Sequence, residues 1–436
     1  MNFWSDPSRR RWVVWGALAV AFILVSLYRL STAVLADELM RAFDTTGAGL
    51  GTLHAAFFYI YAALQLPSGV LVDRAGIRKT ATVAVLVMSI GAVAFAFANS
   101  FVTAFASRAL LGLGASVIYI SILRFVANWY RANEFATLNG LTVGVSGLGG
   151  ILATTPLAIV VAGVGWRDTI LVLGSFGFFL AVAIYVLARD TPKQAGLDPI
   201  DGVPSSPALS LSEVASNLGG VLRERETWLA GLMLFCIIGV NITLLGLWGV
   251  PFVVQQYGLT VTEASTYTLL GSVGLVLGPP TFGWISDRLE NRTAILVVAG
   301  FVYTAVLGGV ALSGTPPLAF VAAMFFLIGF LMGGFAIAYT VIKERHDSAA
   351  SGVSTGTVNT LGYIGAALFP TLMGVILDAY WTGETVAGSR IYTDAGYRVA
   401  FAIATVAGVI ALVCALSLHV RKHGWAALTP SFDGVL

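Results

Sequence analysis

Charge is what this 436-residue chain has least of. Asp, Glu, Lys and Arg make up 11% of it, while hydrophobic residues make up 57%. A soluble domain carries about 25% charged residues, so a water-facing surface cannot be assembled from this composition. Lipid must be the solvent for much of the exterior. Cysteine is equally scarce. Cys236 and Cys414 both sit in apolar runs, which gives no support to a disulfide framework or a cysteine metal site and reads as two small buried hydrophobes. Four histidines occur without an HExxH pair, and no GxxxxGK[ST] loop is present. Zinc-protease chemistry and an ATP-driven machine are therefore disfavoured. No metal-ligand cluster, nucleophile elbow or nucleotide loop supports an enzyme. No cofactor, metal or nucleic-acid partner is expected, and the net charge of +2 argues for none.

What is present is apolar sequence in lengths that cross a bilayer. A helix needs about 20 apolar residues to traverse the hydrocarbon. Such runs fall at 12–35, 48–72, 79–98, 101–127, 135–162 and 167–188, and again at 228–250, 263–286, 292–313, 317–342, 351–377 and 397–420. The expected architecture is an all-α membrane protein of twelve transmembrane helices. Arg9, Arg10 and Arg11 precede the first run, but it is too long for a signal peptide and lacks a small-residue cleavage site, so it reads as the first span. Placing both termini in the cytoplasm puts eighteen of the 24 Lys and Arg inside and leaves only Arg41, Arg167, Arg390 and Arg398 outside. The positive-inside rule selects that orientation in a cell (inner or plasma) membrane. The remaining two, Arg29 and Arg108, fall within spans.

The stretch 189–226 contains Pro192, Pro199, Pro204 and Pro207 and several serines, a linker composition. Its end, Leu209 to Glu226, reads as a short amphipathic helix on the cytoplasmic face. The chain thus divides into a six-helix bundle at 1–188, a linker at 189–226 and a second six-helix bundle at 227–436. The halves also repeat. Asp287-Arg288 after span 8 follows Asp73-Arg74 after span 2 by 214 residues, and Pro370 follows Pro156 by the same 214. Trp166-Arg167 opens span 6 as Tyr397-Arg398 opens span 12. Parallel six-helix repeats with a midplane site between them are a known transporter plan.

The run Gly69-Val70-Leu71-Val72-Asp73-Arg74-Ala75-Gly76-Ile77-Arg78-Lys79 closely resembles the loop 2–3 signature of the major facilitator superfamily, GxLxDRxGxRK, at its expected place. Arg108 to Gly114 is similar to that family's span 4 motif. The resemblance covers the whole chain. It implies two bundles related by a pseudo-twofold axis and transport by alternating access. In that reading Gly69, Asp73, Arg74, Gly76, Arg78 and Lys79, with Gly283, Asp287 and Arg288, form a gating cluster that latches one state. Asp73 would meet a neighbouring helix N-terminus, and Arg74, Arg78 and Lys79 would pair across the cytoplasmic mouth. Mere headgroup anchoring by these charges is the alternative. Arg29, the run Tyr61 to Gly69 and Arg108 resemble the anion:cation symporters and their organic-anion relatives. Tyr28 and Ala115 stand where that group often carries acids implicated in proton coupling. Span 5 has Gly144-Val145-Ser146-Gly147 where drug antiporters have Gly-Pro, which disfavours drug export.

Arg29 is the most informative residue. An arginine within a span costs roughly 2.5–3.5 kcal/mol on insertion scales and faces a cavity or a partner. No Asp or Glu lies deep in any span to neutralise it. An anionic solute is the missing partner, because guanidinium binds carboxylate in a bidentate fork; snorkelling to the headgroups is the alternative. Arg108 is a solute ligand, a coupling group or a tie to neighbouring carbonyls. His54, Phe58, Tyr61 and Gln65, at helical spacing, place a polar stripe on one face of span 2. Tyr119, Asn241, Tyr267, Tyr339, Asn359 and Tyr363 complete the candidate lining; each can instead bond a neighbouring helix. The expected function is secondary active or facilitative transport of a small organic anion anchored by Arg29, with a proton or sodium ion as possible co-substrate and a monomer in the bilayer as the working unit. The alternatives are a carrier for a neutral or zwitterionic solute such as an amino acid or short peptide, a drug or metabolite exporter, and a non-transporting membrane sensor.

Overall fold

The computed structural model describes residues 6–423 apart from 199, 201, 204–215, 217, 290, 346–347 and 387. Eleven helices in it are long and apolar enough to cross a membrane, and a bent pair supplies a twelfth. In chain order the spans begin with span 1 (Pro7–Leu30), span 2 (Gly47–Ala63 and Gln65–Ala75), span 3 (Ile77–Ala96), span 4 (Phe101–Trp129), span 5 (Ala132–Leu152) and span 6 (Trp166–Leu187). They continue with span 7 (Arg225–Thr243, extended through Tyr257), span 8 (Val261–Leu289), span 9 (Arg292–Ser313), span 10 (Leu318–Lys343), span 11 (Ser348–Ala379) and span 12 (Asp394–His423). Twelve passes bring Pro7 and His423 to the same face, called here the terminal face; the other is the far face.

Local chemistry sets many of the ends. Thr46 accepts from the Gly49 N–H at the start of span 2, Ser100 and Thr103 form a capping box on span 4, and Asn291 accepts from the Ala294 N–H on span 9. Gly165 and Gly314, both at positive φ, stop the helices before them. Lipid gives helices no hydrophobic reason to associate, so close backbone approach must do it. Gly91 of span 3 lies where a Cβ would come within 2.7 Å of the Leu111 backbone nitrogen of span 4.

Within the first half span 3 packs on spans 4 and 6, and span 1 on span 5; within the second, span 9 packs on spans 10 and 12, and span 7 on span 11. Between halves, span 2 packs on span 11 and span 5 on span 8. Exchanging the halves converts each of these two contacts into the other, which is what a pseudo-twofold axis requires.

Four breaks interrupt the continuous spans read from hydropathy. The helix of span 1 stops at Leu30, and a separate helix, Thr32–Phe43, follows it. Span 2 bends by 56° at Leu64, so the stripe from His54 to Gln65 does not lie on one straight face. The run 135–162 is span 5 plus a separate helix, Thr155–Val164; Pro156 stands in the first turn of that helix, whereas Pro370 lies inside an unbroken span 11. Span 7 passes through a π-helical turn, Leu244–Trp248, before Gly249–Tyr257. A hairpin of β1 (Trp381–Val386) and β2 (Ser389–Tyr392) precedes span 12. Of the amphipathic helix expected at 209–226, residues 209–215 and 217 lie outside the described residues, and Arg225 and Glu226 open span 7.

Candidate functional site

The two bundles are joined at the far face. Asp378, at the end of span 11, accepts from the N–H groups of Gly47 and Ala48 at 2.8 Å each, so the second bundle caps the N-terminus of span 2 in the first. Arg390 of β2 closes on the same carboxylate at 3.1 Å. Across the bundles Ser389 Oγ donates to the Asp37 carbonyl at 3.2 Å and Ser265 Oγ meets Thr155 Oγ1 at 3.2 Å, while within the second bundle Trp248 braces span 11 by donating its indole N–H to the Pro370 carbonyl at 3.1 Å. Burial beside the hairpin pushes the Asp37 carboxyl above the usual carboxylate value, against the opposing pull of Ser389 and Arg41. On the terminal side, by contrast, a Cβ at Gly69, Gly140, Gly144, Gly283 or Gly352 would meet no described residue within 4 Å. The bundles touch toward the far face and part toward the terminal face.

Where they begin to part, polar side chains of both bundles converge. Arg29, in the last turn of span 1, donates from Nη1 to the Tyr363 hydroxyl of span 11 at 3.1 Å. The Tyr61 and Tyr363 rings lie 4.5 Å apart, and Phe58 stacks on Tyr363 at 6.3 Å. One step toward the terminal face, Gln65 Oε1 accepts from Asn359 Nδ2 at 2.8 Å, and Asn359 Oδ1 accepts from the Tyr339 hydroxyl at 2.7 Å. Tyr119 stacks on Phe22 at 5.3 Å and donates to Asn139 Oδ1 at 2.8 Å. The Tyr119, Tyr339 and Tyr363 hydroxyls lie within electrostatic reach of one another. Arg29, Gln65, Tyr119, Asn139, Tyr339, Asn359 and Tyr363 all keep some accessible surface, which opens toward the gap between the bundles.

Two of these contacts repeat a single design. Tyr119 of span 4 bonds Asn139 of span 5, and Tyr339 of span 10 bonds Asn359 of span 11, each pair 20 residues apart. Asn139 carries no signal in the sequence beyond that spacing.

Other expected lining residues lie elsewhere. His54 is fully buried beside Phe58 at 5.2 Å, and neither ring nitrogen is hydrogen-bonded to a described residue. Arg108 is buried in the first bundle. Asn241 bonds Tyr303 at 3.3 Å inside the second bundle, and Tyr267 sits near Tyr257 toward the far face. The gating cluster differs from its expected arrangement. Asp73 pairs with Arg124 of span 4 at 2.9 Å, within its own bundle. Arg78 donates from Nε to the Tyr185 carbonyl of span 6 at 2.8 Å and stacks over the Tyr185 ring. Arg74 and Lys79 are exposed, and Arg288 lies over the Trp284 ring at 4.1 Å. With the terminal-face ends apart, these charges pair within a bundle rather than across the mouth. Asp287, Arg292, Glu344 and Lys422 line a separate cavity of about 280 Å³ at the terminal face of the second bundle. Among the described residues no group of three or more His, Cys, Asp or Glu is placed to hold a metal.

The site therefore offers one permanent cation, four phenols (Tyr61, Tyr119, Tyr339 and Tyr363) and three carboxamides, with no carboxylate among the residues named. Such a set pairs with one negative charge and donates to hydroxyl or carbonyl oxygens.

The Major Facilitator Superfamily profile matches residues 4–370. The chain is 25% identical over 304 residues to a Cupriavidus necator protein named "Probable sulfoacetate transporter SauU", covering 67% of this chain and 68% of that one. It is 25% identical over 384 residues to the "Membrane sensor protein UhpC" of Salmonella typhimurium, covering 84% and 85%. Its fold matches the crystal structure of a bacterial homolog to the human lysosomal transporter Spinster with a TM-score of 0.74, at 18% identity and over 94% and 97% of the two chains.

Proposed function

The chain belongs to the major facilitator superfamily, and from that premise we propose that this transporter carries a small organic anion, held by Arg29, between two bundles that rock about the site. It is a carrier and not an enzyme. The reading rests on one observation above the rest. Arg29 is the permanent charge of the inter-bundle cluster, and its partner there, the Tyr363 hydroxyl, is neutral. A neutral phenol leaves the guanidinium charge uncompensated, and an entering carboxylate or sulfonate supplies what is missing. The sulfoacetate assignment of one relative supports the anion class.

The bundles at 1–188 and 227–436 move as two bodies joined by 189–226. The terminal face is cytoplasmic, in a bacterial plasma membrane, and the state described opens inward. The working unit is a monomer in the bilayer. Tyr28 and Ala115 stand where that symporter group often carries acids, so those two positions offer no carboxylate for proton coupling. Imposed proton or sodium gradients across proteoliposomes test for a co-substrate.

Uptake by proteoliposomes of a panel of monocarboxylates, sugar acids and sulfonates is the direct test. Saturable uptake of at least one is expected, with Arg29→Ala lowering it by about tenfold or more, the loss that removal of a charge-assisted fork predicts. Unchanged uptake in Arg29→Ala overturns the anchor. Competition by uncharged analogues would instead favour a neutral or zwitterionic solute.

The similarity to a membrane sensor favours one second reading, a protein that binds the anion without moving it. Ligand-raised melting temperature with no counterflow identifies a sensor; counterflow identifies a carrier.

A further inference from the structure

Arg108 is 1% exposed, and its guanidinium is turned toward span 3, 5.7 Å from the centre of the Phe95 ring, rather than toward the gap between the bundles. Its one hydrogen bond to a described residue runs from Nη1 to the Tyr28 carbonyl at 3.4 Å; Nε and Nη2 have no partner among the described residues. That carbonyl stands at a special place. Span 1 is interrupted at Ser31, whose N–H still closes on the Leu27 carbonyl, and the Tyr28 carbonyl is the next acceptor at that break. The Tyr28 carbonyl is met by Ser31 Oγ at 3.2 Å and by Arg108. The next residue along the chain is Arg29, whose side chain leaves the same turn in another direction, keeps accessible surface and reaches Tyr363 across the bundle interface.

A helix that ends inside a membrane has to satisfy its orphan carbonyls, because lipid cannot. A cation at that end is favoured further by the negative pole of the helix dipole. Both conditions hold for Arg108, which approaches span 1 from span 4. It stands against the turn that carries Arg29, on a buried side of it. We infer that Arg108 is a positioning residue for Arg29. By holding the Tyr28 carbonyl it fixes the break in span 1 and so aims the Arg29 guanidinium into the solute site, without touching the solute itself. The inference rests on the reading of Arg29 as the anion anchor. The competing assignment makes Arg108 a second ligand of the same anion.

Two measurements on the full-length protein decide between them. The first is a double-mutant cycle in proteoliposomes and in ligand-dependent melting, using whichever anion of the panel is transported. Arg108→Gln alone is expected to raise the apparent KM about tenfold with the maximal rate little changed, as a displaced anchor does. Arg108→Lys, which keeps charge and one donor, is expected to recover most of that loss. In an Arg29→Ala background Arg108→Gln is expected to add nothing, because residues acting through one another are not additive. Losses that multiply in the double variant make Arg108 an independent ligand and overturn the inference.

The second measurement needs no substrate. Cys236 and Cys414 are 2% and 3% exposed, which shields them from a polar methanethiosulfonate reagent. In Arg29→Cys the introduced thiol faces the gap and is expected to react. Adding Arg108→Gln is expected to slow that reaction severalfold, and an unchanged rate overturns the inference even where anion binding has become too weak to follow. Failure of the anchor itself looks different, since Arg29→Ala alone would then leave uptake intact.

Discussion

Gly76 shows how much one position in a short motif can depend on a distant part of the chain. Its backbone sits at φ +81°, ψ +157°, a region essentially reserved for glycine. Span 3 starts immediately after it, and the carboxylate of Asp190, from the segment after span 6, accepts from the Arg78 N–H at 2.9 Å and acts as a remote cap for that helix. A Cβ on Gly76 would collide with that carboxylate. Gly76→Ala should therefore destabilise the protein by about 1–3 kcal/mol through backbone strain alone, more once Asp190 is displaced. Thermal unfolding in detergent checks it; an unshifted midpoint would mean that the cap is dispensable. The motif marks Gly76 in the sequence, but the cause lies 114 residues downstream at Asp190, where no pattern announces it. Arg29 was legible for the opposite reason, since a charge in an apolar run needs no partner to stand out. Asn139 and the Tyr119 bond it receives were hidden, because a lone carboxamide in a membrane helix most often ties down a neighbouring helix.

The helix ends carry the repeat more faithfully than the motifs do. Arg167, opening span 6, donates to the carbonyls of Ala96 and Ala98 at 2.8 and 2.7 Å and so closes the end of span 3. Arg398, opening span 12, donates to the carbonyls of Ala311 and Leu312 at 3.3 and 3.0 Å and closes the end of span 9. The aromatic–arginine pairs that recur in the sequence are thus one capping device used twice, favourable at a helix C-terminus where the dipole is negative. The copies differ in environment, because Arg167 is part-buried and Arg398 is exposed. Arg167→Gln should cost roughly 1.5–3 kcal/mol, the range for hydrogen bonds to a charged group, and Arg398→Gln clearly less. Equal midpoint shifts for the two would contradict the burial argument. Hydropathy found all twelve spans and placed most of them within a few residues, but it ran past the end of span 5 at Leu152, stopped short of Tyr257 in span 7 and could not see the breaks at Ser31, Leu64 and Thr154. It reports the solvent around a residue, and that solvent is unchanged when an apolar helix stops and restarts. The hairpin at Trp381–Tyr392 was unreadable as well, being two short strands whose exposed β1 side chains show no apolar alternation.

Which way the carrier faces is a property of the whole molecule, and sequence is silent on it because the same residues must serve both states. Here closure of the far face depends on a carboxylate and two helix-terminal N–H groups that belong to different bundles. Opening that face means separating the Asp378 carboxylate from Gly47 and Ala48; the neighbouring cross-bundle ties, Ser389 to Asp37 and Ser265 to Thr155, are single neutral hydrogen bonds. Acidity acts on the same closure. Burial raises the Asp37 carboxyl where the Thr32–Phe43 helix meets the hairpin, with Ser389 and Arg41 opposing the shift and Glu38 reinforcing it. A raised value means that the closed state binds the proton more tightly than an open, hydrated one. Closure is therefore strongest below the ordinary carboxylate value and weakens as pH rises through the raised one. Asp37→Asn should flatten that dependence. Asp378→Asn removes one acceptor and the Arg390 ion pair. A loss of about 1.4 kcal/mol, slightly less than the range for one hydrogen bond to a charged group, already moves a two-state equilibrium tenfold. Spin labels at Asn99 and Thr315, exposed far-face positions in the two halves, read that equilibrium directly. Asp378→Asn should populate a longer separation that the unmodified carrier shows weakly, and mild acid should suppress that population while Asp37 is present. If the distance distribution is the same with and without the Asp378 carboxylate, the inter-bundle cap is not what holds the far face shut.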